Sequence, residues 1–245
     1  MHLVTGASDN HYKSLVNMIL SFMKYHKNDP NYKIIVYNLG IEQADWKRLL
    51  NIFGRYSNFI SETFDYSLYP DYVNININAG EYAWKPIIIY DVFNKYKEIT
   101  LWMDAGNILT NRLDRINETI TKNHIYSGYS GNKGSTIKQW THPTTIEYMG
   151  AFFGGYDITQ CQPRNGACVG FNYNTDYVKS FVEEYKNHAL TKECIAPEGS
   201  SRENHRQDQS VFSIMFYKYY IQYQFDFSVG NLEYYEDYRI HNDVD

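Results

Sequence analysis

The sequence is short of most features that assign a protein quickly. It has three cysteines in 245 residues, Cys161, Cys168 and Cys194. They form no CxxC pair and their number is odd, which argues against a disulfide framework or a zinc ribbon. No apolar run is long enough to cross a bilayer and mean hydropathy is −0.54, so no membrane span is expected. The opening MHLVTGAS has neither a basic n-region nor a long apolar h-region, so no signal peptide is visible and a cytoplasmic location is the expectation. Charge of one sign is also lacking. A net charge of −5 gives no field that favours nucleic acid or an anionic membrane. GxxxxGK(S/T), GxSxG and HExxH are all missing, which removes the P-loop, hydrolase-elbow and zincin readings. No internal repeat or Pro/Gly/Ser-rich linker divides the chain, and its length suits one domain over residues 1–245.

What is present is an ordinary globular composition, 43% hydrophobic and 21% charged, with an unusual 25 tyrosines. Tyrosine abundance beside Asn, Ile and Lys fits AT-rich codon usage; an aromatic surface for stacking sugars is the alternative. His2 to Gly6 is a short apolar run ending in a turn. Leu15, Met18, Ile19, Phe22 and Met23 follow at helical spacing, with Asp9 or Asn10 as candidate caps. Lys33 to Leu39 reads as a buried strand and Ala44 to Phe53 as an amphipathic helix, and this alternation indicates an α/β fold. Asn58 to Phe64 is a weaker strand. Asp65 to Gly80 is a long loop of a length that is often functional. Glu81 to Tyr96 is a helix with Pro86 near its first turn, and Ile99 to Met103 is a buried strand. Later strands are expected over Ile125–Tyr129, Ala167–Tyr173 and Tyr223–Phe227, and helices over Asp176–Ala189 and Asp208–Tyr220.

Val4-Thr5-Gly6-Ala7-Ser8 invites comparison with dinucleotide-binding dehydrogenases, but the later glycines of that fingerprint are missing. The formal YxxxK at Tyr129–Lys133 lies among Gly128, Gly131 and Gly134, which makes it a loop. Asp104 is the strongest single signal. It follows a buried strand directly and precedes Ala105-Gly106, so it belongs at the carboxyl edge of the sheet, where open α/β sheets bind ligands. Lys85 lies nineteen residues upstream in Trp84-Lys85-Pro86, near the first turn of the helix that feeds this strand. Its charge suits pairing with phosphate, against the plainer reading of a solvated lysine. His205-Arg206-Gln207-Asp208-Gln209 clusters polar groups before an apolar helix, where Asp208 as a simple N-cap is the alternative.

The order of these pieces resembles nucleotide-sugar glycosyltransferases of the GT-A fold, most closely the retaining glycogenin and lipopolysaccharide galactosyltransferase group (family 8). The combination of Trp84-Lys85-Pro86, Leu101-Trp102-Met103-Asp104-Ala105-Gly106, Cys194 to Gly199 and Asn204 to Ser210 also resembles a less characterised branch of that superfamily. The resemblance implies a three-layer α/β/α sandwich around a central, mostly parallel mixed sheet. It implies transfer of a sugar from a nucleoside diphosphate, a UDP-sugar first, to an acceptor hydroxyl on a glycan, protein or small molecule, with retention. Thr5, Ala7, Ser8 and Tyr12 match the loop that holds the nucleotide base. Lys85 matches the basic donor-binding residue, Asp104-Ala105-Gly106 the Asp-x-Asp motif, and Asn165-Gly166 the Asn-x-Gly segment. Asp208 and Gln209 match the Asp-Gln pair beside the transferred sugar, where a Gln lies under the anomeric carbon in retaining relatives, and His205 joins them as a candidate catalytic residue.

Two departures stand out. Gly106 replaces the second Asp, and the C-terminal His-containing motif is reduced to His241. A weak Mn²⁺ or Mg²⁺ site on Asp104, with His241 as second ligand, is the expectation, and the diphosphate would complete it. Departure of the diphosphate needs positive charge, from a metal or from Lys/Arg. Asp65–Gly80 and Lys133–Pro143, with Trp140 and His142, are candidate acceptor-binding regions. The missing acid also motivates a second reading, a sugar-nucleotide or glycan-binding protein of the same fold that does not turn over. A nucleotidyltransferase is a third reading, but its glycine-rich, lysine-containing N-terminal signature is missing.

Overall fold

The structure, a computed structural model, describes residues 1–227 and 237–244. Alternating elements open the chain: β1 (His2–Ala7), α1 (Tyr12–His26), β2 (Lys33–Asn38), α2 (Gln43–Phe53) and β3 (Phe59–Thr63). After three short 3₁₀ turns come α3 (Trp84–Tyr96), β4 (Thr100–Met103), β5 (Ile108–Leu109), α4 (Asp114–Asn123) and β6 (Ile125–Tyr129). The later elements are α5 (Pro143–Tyr148), β7 (Phe152–Phe153), β8 (Tyr156–Asp157), β9 (Arg164–Phe171), α6 (Asp176–Ala189), α7 (Lys192–Ile195), α8 (Gln207–Tyr223) and β10 (Tyr238–Arg239). Six strands make the central sheet in the order β3-β2-β1-β4-β9-β6. β3, β2, β1 and β4 run parallel, and β9 is antiparallel to both neighbours.

Strand periodicity divides the core into two layers. Val4, Ile35, Trp102 and Val169 face α3, α6 and α8, where Ile88, Phe93, Phe181, Phe212 and Phe216 complete one cluster. Leu3, Ile34, Val36, Leu101 and Met103 face the other way, onto Leu15, Met18 and Phe22 of α1, Leu49 of α2, and Ile116 and Ile120 of α4. The three-layer α/β/α arrangement with a mostly parallel mixed sheet therefore follows from alternation within apolar strands buried on both faces. α4 approaches β9 so closely that a Cβ on Gly170 would lie 2.5 Å from the Ile120 side chain. None of the described helices is long and apolar enough to cross a membrane.

Three local expectations need correction. No strand forms over Tyr223–Phe227: α8 continues through Tyr223, a left-handed Gln224 ends it, and Phe225 packs edge-on against Phe216. The apolar character read there serves aromatic packing. Neither Asp9 nor Asn10 caps α1, whose N-cap is His11. Asp9 instead accepts from the Glu42 amide at 3.1 Å, and Asn10 accepts from the Ser8 hydroxyl at 2.6 Å. The Asp65–Gly80 segment is not featureless, since it holds 3₁₀ turns at Tyr66–Leu68 and Asp71–Val73 and enters a third at Asn78–Tyr82.

Two buried histidines pin connections to the core. His26 Nε2 accepts from the Leu113 amide at 3.1 Å. His205, with no exposed surface, bridges the His142 amide through Nδ1 at 3.2 Å and the Ile195 carbonyl through Nε2 at 2.9 Å. That pair of bonds selects the neutral tautomer with a proton on Nε2. Burial lowers both imidazoles to about 4, helped at His26 by the Arg112 charge.

Two outcomes follow from this packing. Phe212 contacts the rings of Phe171, Phe181, Tyr185 and Phe216, so Phe212→Ala should cost about 3–5 kcal/mol in denaturant unfolding. Leu20→Ala, at a site 51% exposed, should change stability by no more than about 0.5 kcal/mol. Equal effects would contradict the core assignment. The unfolded chain binds more protons than the folded one between the unfolded histidine value of 6.5 and the folded value of about 4. Stability should therefore fall as pH drops through that window. The fall should be shallower in a His26→Gln/His205→Gln variant, and an unchanged slope in urea titrations would contradict it.

Candidate functional site

β1 and β4 are parallel neighbours, and the chain leaves β1 toward β2 on one side while β4 lies on the other. Such a reversal in strand order opens a crevice at the carboxyl ends. Here it is a cleft of about 310 Å³. Gly6, Ala7 and Ser8 from the end of β1 line it, as do Asp104, Ala105 and Gly106 from the end of β4. Gly166 and Ala167 of β9, Lys85 of α3, and Asp208 and Gln209 of α8 complete the floor.

The floor is organised around one ammonium. Lys85 Nζ lies 2.9 Å from Asp104 Oδ1 and 2.9 Å from Asp208 Oδ2, and it donates to the Gly166 carbonyl at 3.3 Å. Trp102 Nε1 donates to the same Asp104 oxygen at 2.6 Å. Burial opposes the lysine charge, but the two carboxylates outweigh it and Lys85 binds its proton more tightly than a free lysine. Burial also pushes the Asp208 carboxyl above its usual range, while Lys85 pulls it back. The side chain of Asp208 is only 6% exposed, whereas that of Asp104 is 38% exposed. Asp104 is therefore the acid that presents an oxygen to a ligand. Asp208 sits in the first turn of α8 but caps nothing, because its carboxylate is turned to Lys85.

Backbone strain borders the cleft. Asn78, Ala79, Gly80, Glu81 and Tyr82 all have positive φ, a left-handed turn that costs L-residues energy at each position. Glycine is required at 80, where a Cβ would lie 2.3 Å from the Val73 carbonyl oxygen. The turn is fastened by Trp84 Nε1 donating to the Ala79 carbonyl at 3.0 Å and delivers Tyr82 and Trp84 to the wall. Gln207, at the start of α8, is also left-handed with φ 39°.

The residues expected from sequence divide clearly. Ala7, Ser8, Lys85, Asp104, Ala105, Gly106, Gly166, Asp208, Gln209 and His241 share the cleft. Thr5, Tyr12 and Asn165 do not line it. Thr5 is fully buried within β1, Tyr12 begins α1, and buried Asn165 accepts from the Ala167 amide at 2.6 Å, shaping β9. His205 also stands outside the lining, since both its nitrogens are spent on backbone; it fixes the loop before α8 and does not face a ligand. Gln209 Nε2 donates to Ser130 Oγ at 3.1 Å, which steadies the amide at the cleft edge.

Sequence reading missed His11, Tyr82, Arg202, Asn107 and Asp243, all of which line the cleft; Arg206, read from sequence as part of the polar cluster before α8, lines it too. The C-terminal segment reaches it because β10 pairs with β5 and the Asn242 amide donates to the Gly106 carbonyl at 2.6 Å. A Cβ at position 106 would lie 2.3 Å from Asp243 Oδ1. The carboxylate of Asp243 thus occupies the space that a side chain at 106 would take. His11 Nδ1 lies 3.5 Å from the same oxygen. Among the described residues, no three His, Cys, Asp or Glu side chains converge closely enough to hold a metal by themselves.

A family model described as a protein of unknown function (DUF1647) matches residues 1–90. No curated protein sequence matches the chain. Among solved structures, the chain is similar to the bifunctional glycosyltransferase WbbM in its apo form, with TM-score 0.59 and 15% identity over 88% of this chain and 37% of that one. It is similar to the galactosyltransferase LgtC in complex with donor and acceptor sugar analogues, with TM-score 0.56 and 16% identity over 88% of this chain and 70% of that one. Apo GlyE, a glycosyltransferase from Streptococcus pneumoniae TIGR4, gives TM-score 0.53 and 14% identity over 95% of this chain and 44% of that one. The chain thus spans less than half the length of WbbM and of GlyE. At these identities the likeness establishes the fold, which is that of the GT-A glycosyltransferases and resembles the LgtC group.

Proposed function

We propose that the chain is a glycosyltransferase that binds a nucleoside-diphosphate sugar in this cleft and passes the sugar to an acceptor hydroxyl. The observation that carries the reading is that Asp104, Lys85, Asp208 and Gln209, widely separated in sequence, meet in one cleft at the strand-order reversal of a GT-A fold. A UDP-sugar is the first donor to test, and retention is the stereochemical outcome the Asp208-Gln209 pair favours. The acceptor is a glycan, a protein or a small molecule. The non-catalytic alternative has less support, because the solved structures of similar fold are glycosyltransferases.

In this reading each side chain has a defined task. The β1 end, Ala7 and Ser8, receives the nucleoside. Lys85 holds the carboxylates of Asp104 and Asp208 in place, so neither reorients when a donor enters. Gln209 lies beside the reacting sugar, where its amide dipole would stabilise positive charge as the carbon–diphosphate bond lengthens. Asp104 and His241 are the residues that would hold Mn²⁺ or Mg²⁺. They fit such an ion only with diphosphate oxygens completing the shell. When bound, the ion would supply charge to the leaving diphosphate.

The test is a panel of nucleotide sugars, with and without Mn²⁺, read by thermal shift and by release of free sugar. A selective rise in midpoint with slow donor hydrolysis is expected, since ligands that bind the folded state stabilise it. Gln209→Ala should lower turnover about 10²-fold or more while changing donor affinity little, the pattern of a contact made in the transition state. Loss of donor affinity without a change in rate would defeat the assignment of Gln209, and selective binding without turnover would favour the non-catalytic alternative.

A further inference from the structure

Among the described residues, two guanidiniums in the cleft form no close ion pair. Arg202 and Arg206 both line it, while the ion pairs of the described residues engage Arg48, Arg112 and Arg115 instead. Arg202 stacks over the Tyr82 ring at 5.2 Å, and Arg206 over the Trp140 ring at 4.4 Å. Those rings orient the guanidiniums but do not neutralise them. The charge of Arg202 is felt at Asp208, but the close contacts of that carboxylate and of Glu81 are with other groups. Asp208 is paired with Lys85, and Glu81 accepts from the side-chain amides of Asn78 and Gln207, each at 3.4 Å.

Three sources of positive potential therefore coincide. Burial depresses the Arg206 guanidinium, and the charge of Arg202 depresses it further, so the two cations repel each other. Arg206 is also the N-cap residue of α8, a helix of 17 residues, whose positive end disfavours a cation. Two cations set against each other and against a helix N-terminus at a cleft, with no close ion pair among the described residues, suit a site completed by its ligand.

We propose that Arg202 and Arg206 form an oxyanion subsite beside Asp208, taking a phosphate or carboxylate of the substrate. The identity of that substrate as a sugar nucleotide with its acceptor rests on the function proposed above; the anion subsite itself does not. Two sources supply this chemistry, the diphosphate of the donor and an acidic group on the sugar transferred or accepted. Paired guanidiniums present several N–H donors in a fixed fork, which matches either oxyanion.

The experiment is calorimetric titration of the full chain at low salt with pyrophosphate, glucuronate, glucose 6-phosphate and glucose. It is repeated on Arg202→Ala/Arg206→Ala and on the charge-preserving Arg202→Lys/Arg206→Lys, with unfolding midpoints recorded to confirm that each variant folds. At least one anion is expected to bind the wild type and to bind the alanine pair about tenfold or more weakly, with the lysine pair between them. Loss confined to pyrophosphate assigns the subsite to the diphosphate. Loss confined to glucuronate or glucose 6-phosphate, with glucose indifferent, assigns it to an acidic sugar. No anion binding to the wild type, or equal binding to all three proteins, overturns the proposal. Turnover of nucleotide sugars by the wild type is read separately, so a protein that binds anions but transfers no sugar would sink the functional reading alone.

Discussion

A buried ammonium shared between two carboxylates holds the working end of this molecule together. Lys85 comes from the first turn of α3, Asp104 from the end of β4 and Asp208 from the first turn of α8. One charge thus ties together a helix, a strand end and a second helix that are remote in sequence. Desolvating such a group costs several kcal/mol, so a buried ion cluster is poor evidence of a stability gain over an apolar substitute. What it supplies is definition. With Lys85 in place, Asp208 cannot drift to cap its helix and Asp104 keeps one oxygen bound while its other face meets solvent.

The rest of the cleft follows from that fixed floor. The left-handed turn at Asn78–Tyr82 stores strain immediately before α3, and the buried anchoring of α3 through Lys85 and Trp84 helps to sustain it. From the opposite end of the chain, the β5–β10 pairing lays Asn242 and Asp243 over Gly106. An aspartate side chain at 106 would collide with Asp243 in this arrangement. The acid arriving from the C-terminal segment thus stands where a side chain at 106 would lie. Asp104 and Asp243 flank Gly106 on one side of the cleft, and the guanidiniums of Arg202 and Arg206 stand at the start of α8 on the other.

The layers of the fold were legible because the strands are apolar and the helices amphipathic. Lys33–Leu39, Ile99–Met103 and Asp176–Ala189 announce their elements through period and composition alone. Short antiparallel pieces were not legible: β7 and β8 are two residues each, too brief for any pattern. The helix α4 went unread because its apolar residues, Ile116 and Ile120, are few among charged neighbours. In the site, Asp104, Lys85, Asp208 and Gln209 were recoverable because they punctuate strand ends and helix starts. Arg202 and Asp243 carry no such marker. Their role depends on loop paths and on a long-range strand pairing that periodicity does not encode. His205 misled because a polar residue before a helix looks exposed, whereas both its nitrogens are buried against backbone.

The most direct test of the shared ammonium is a double-mutant cycle in denaturant unfolding with Lys85→Met and Asp208→Leu. Lys85→Met alone strands two carboxylates and should cost about 3–5 kcal/mol, as breaking a buried pair typically does. Removing the Asp208 carboxylate as well relieves part of that loss, so the two changes should be non-additive by about 1–3 kcal/mol. Additivity within about 0.5 kcal/mol would mean that Lys85 and Asp208 do not sense each other, and the organisation of the cleft around one buried charge would be wrong.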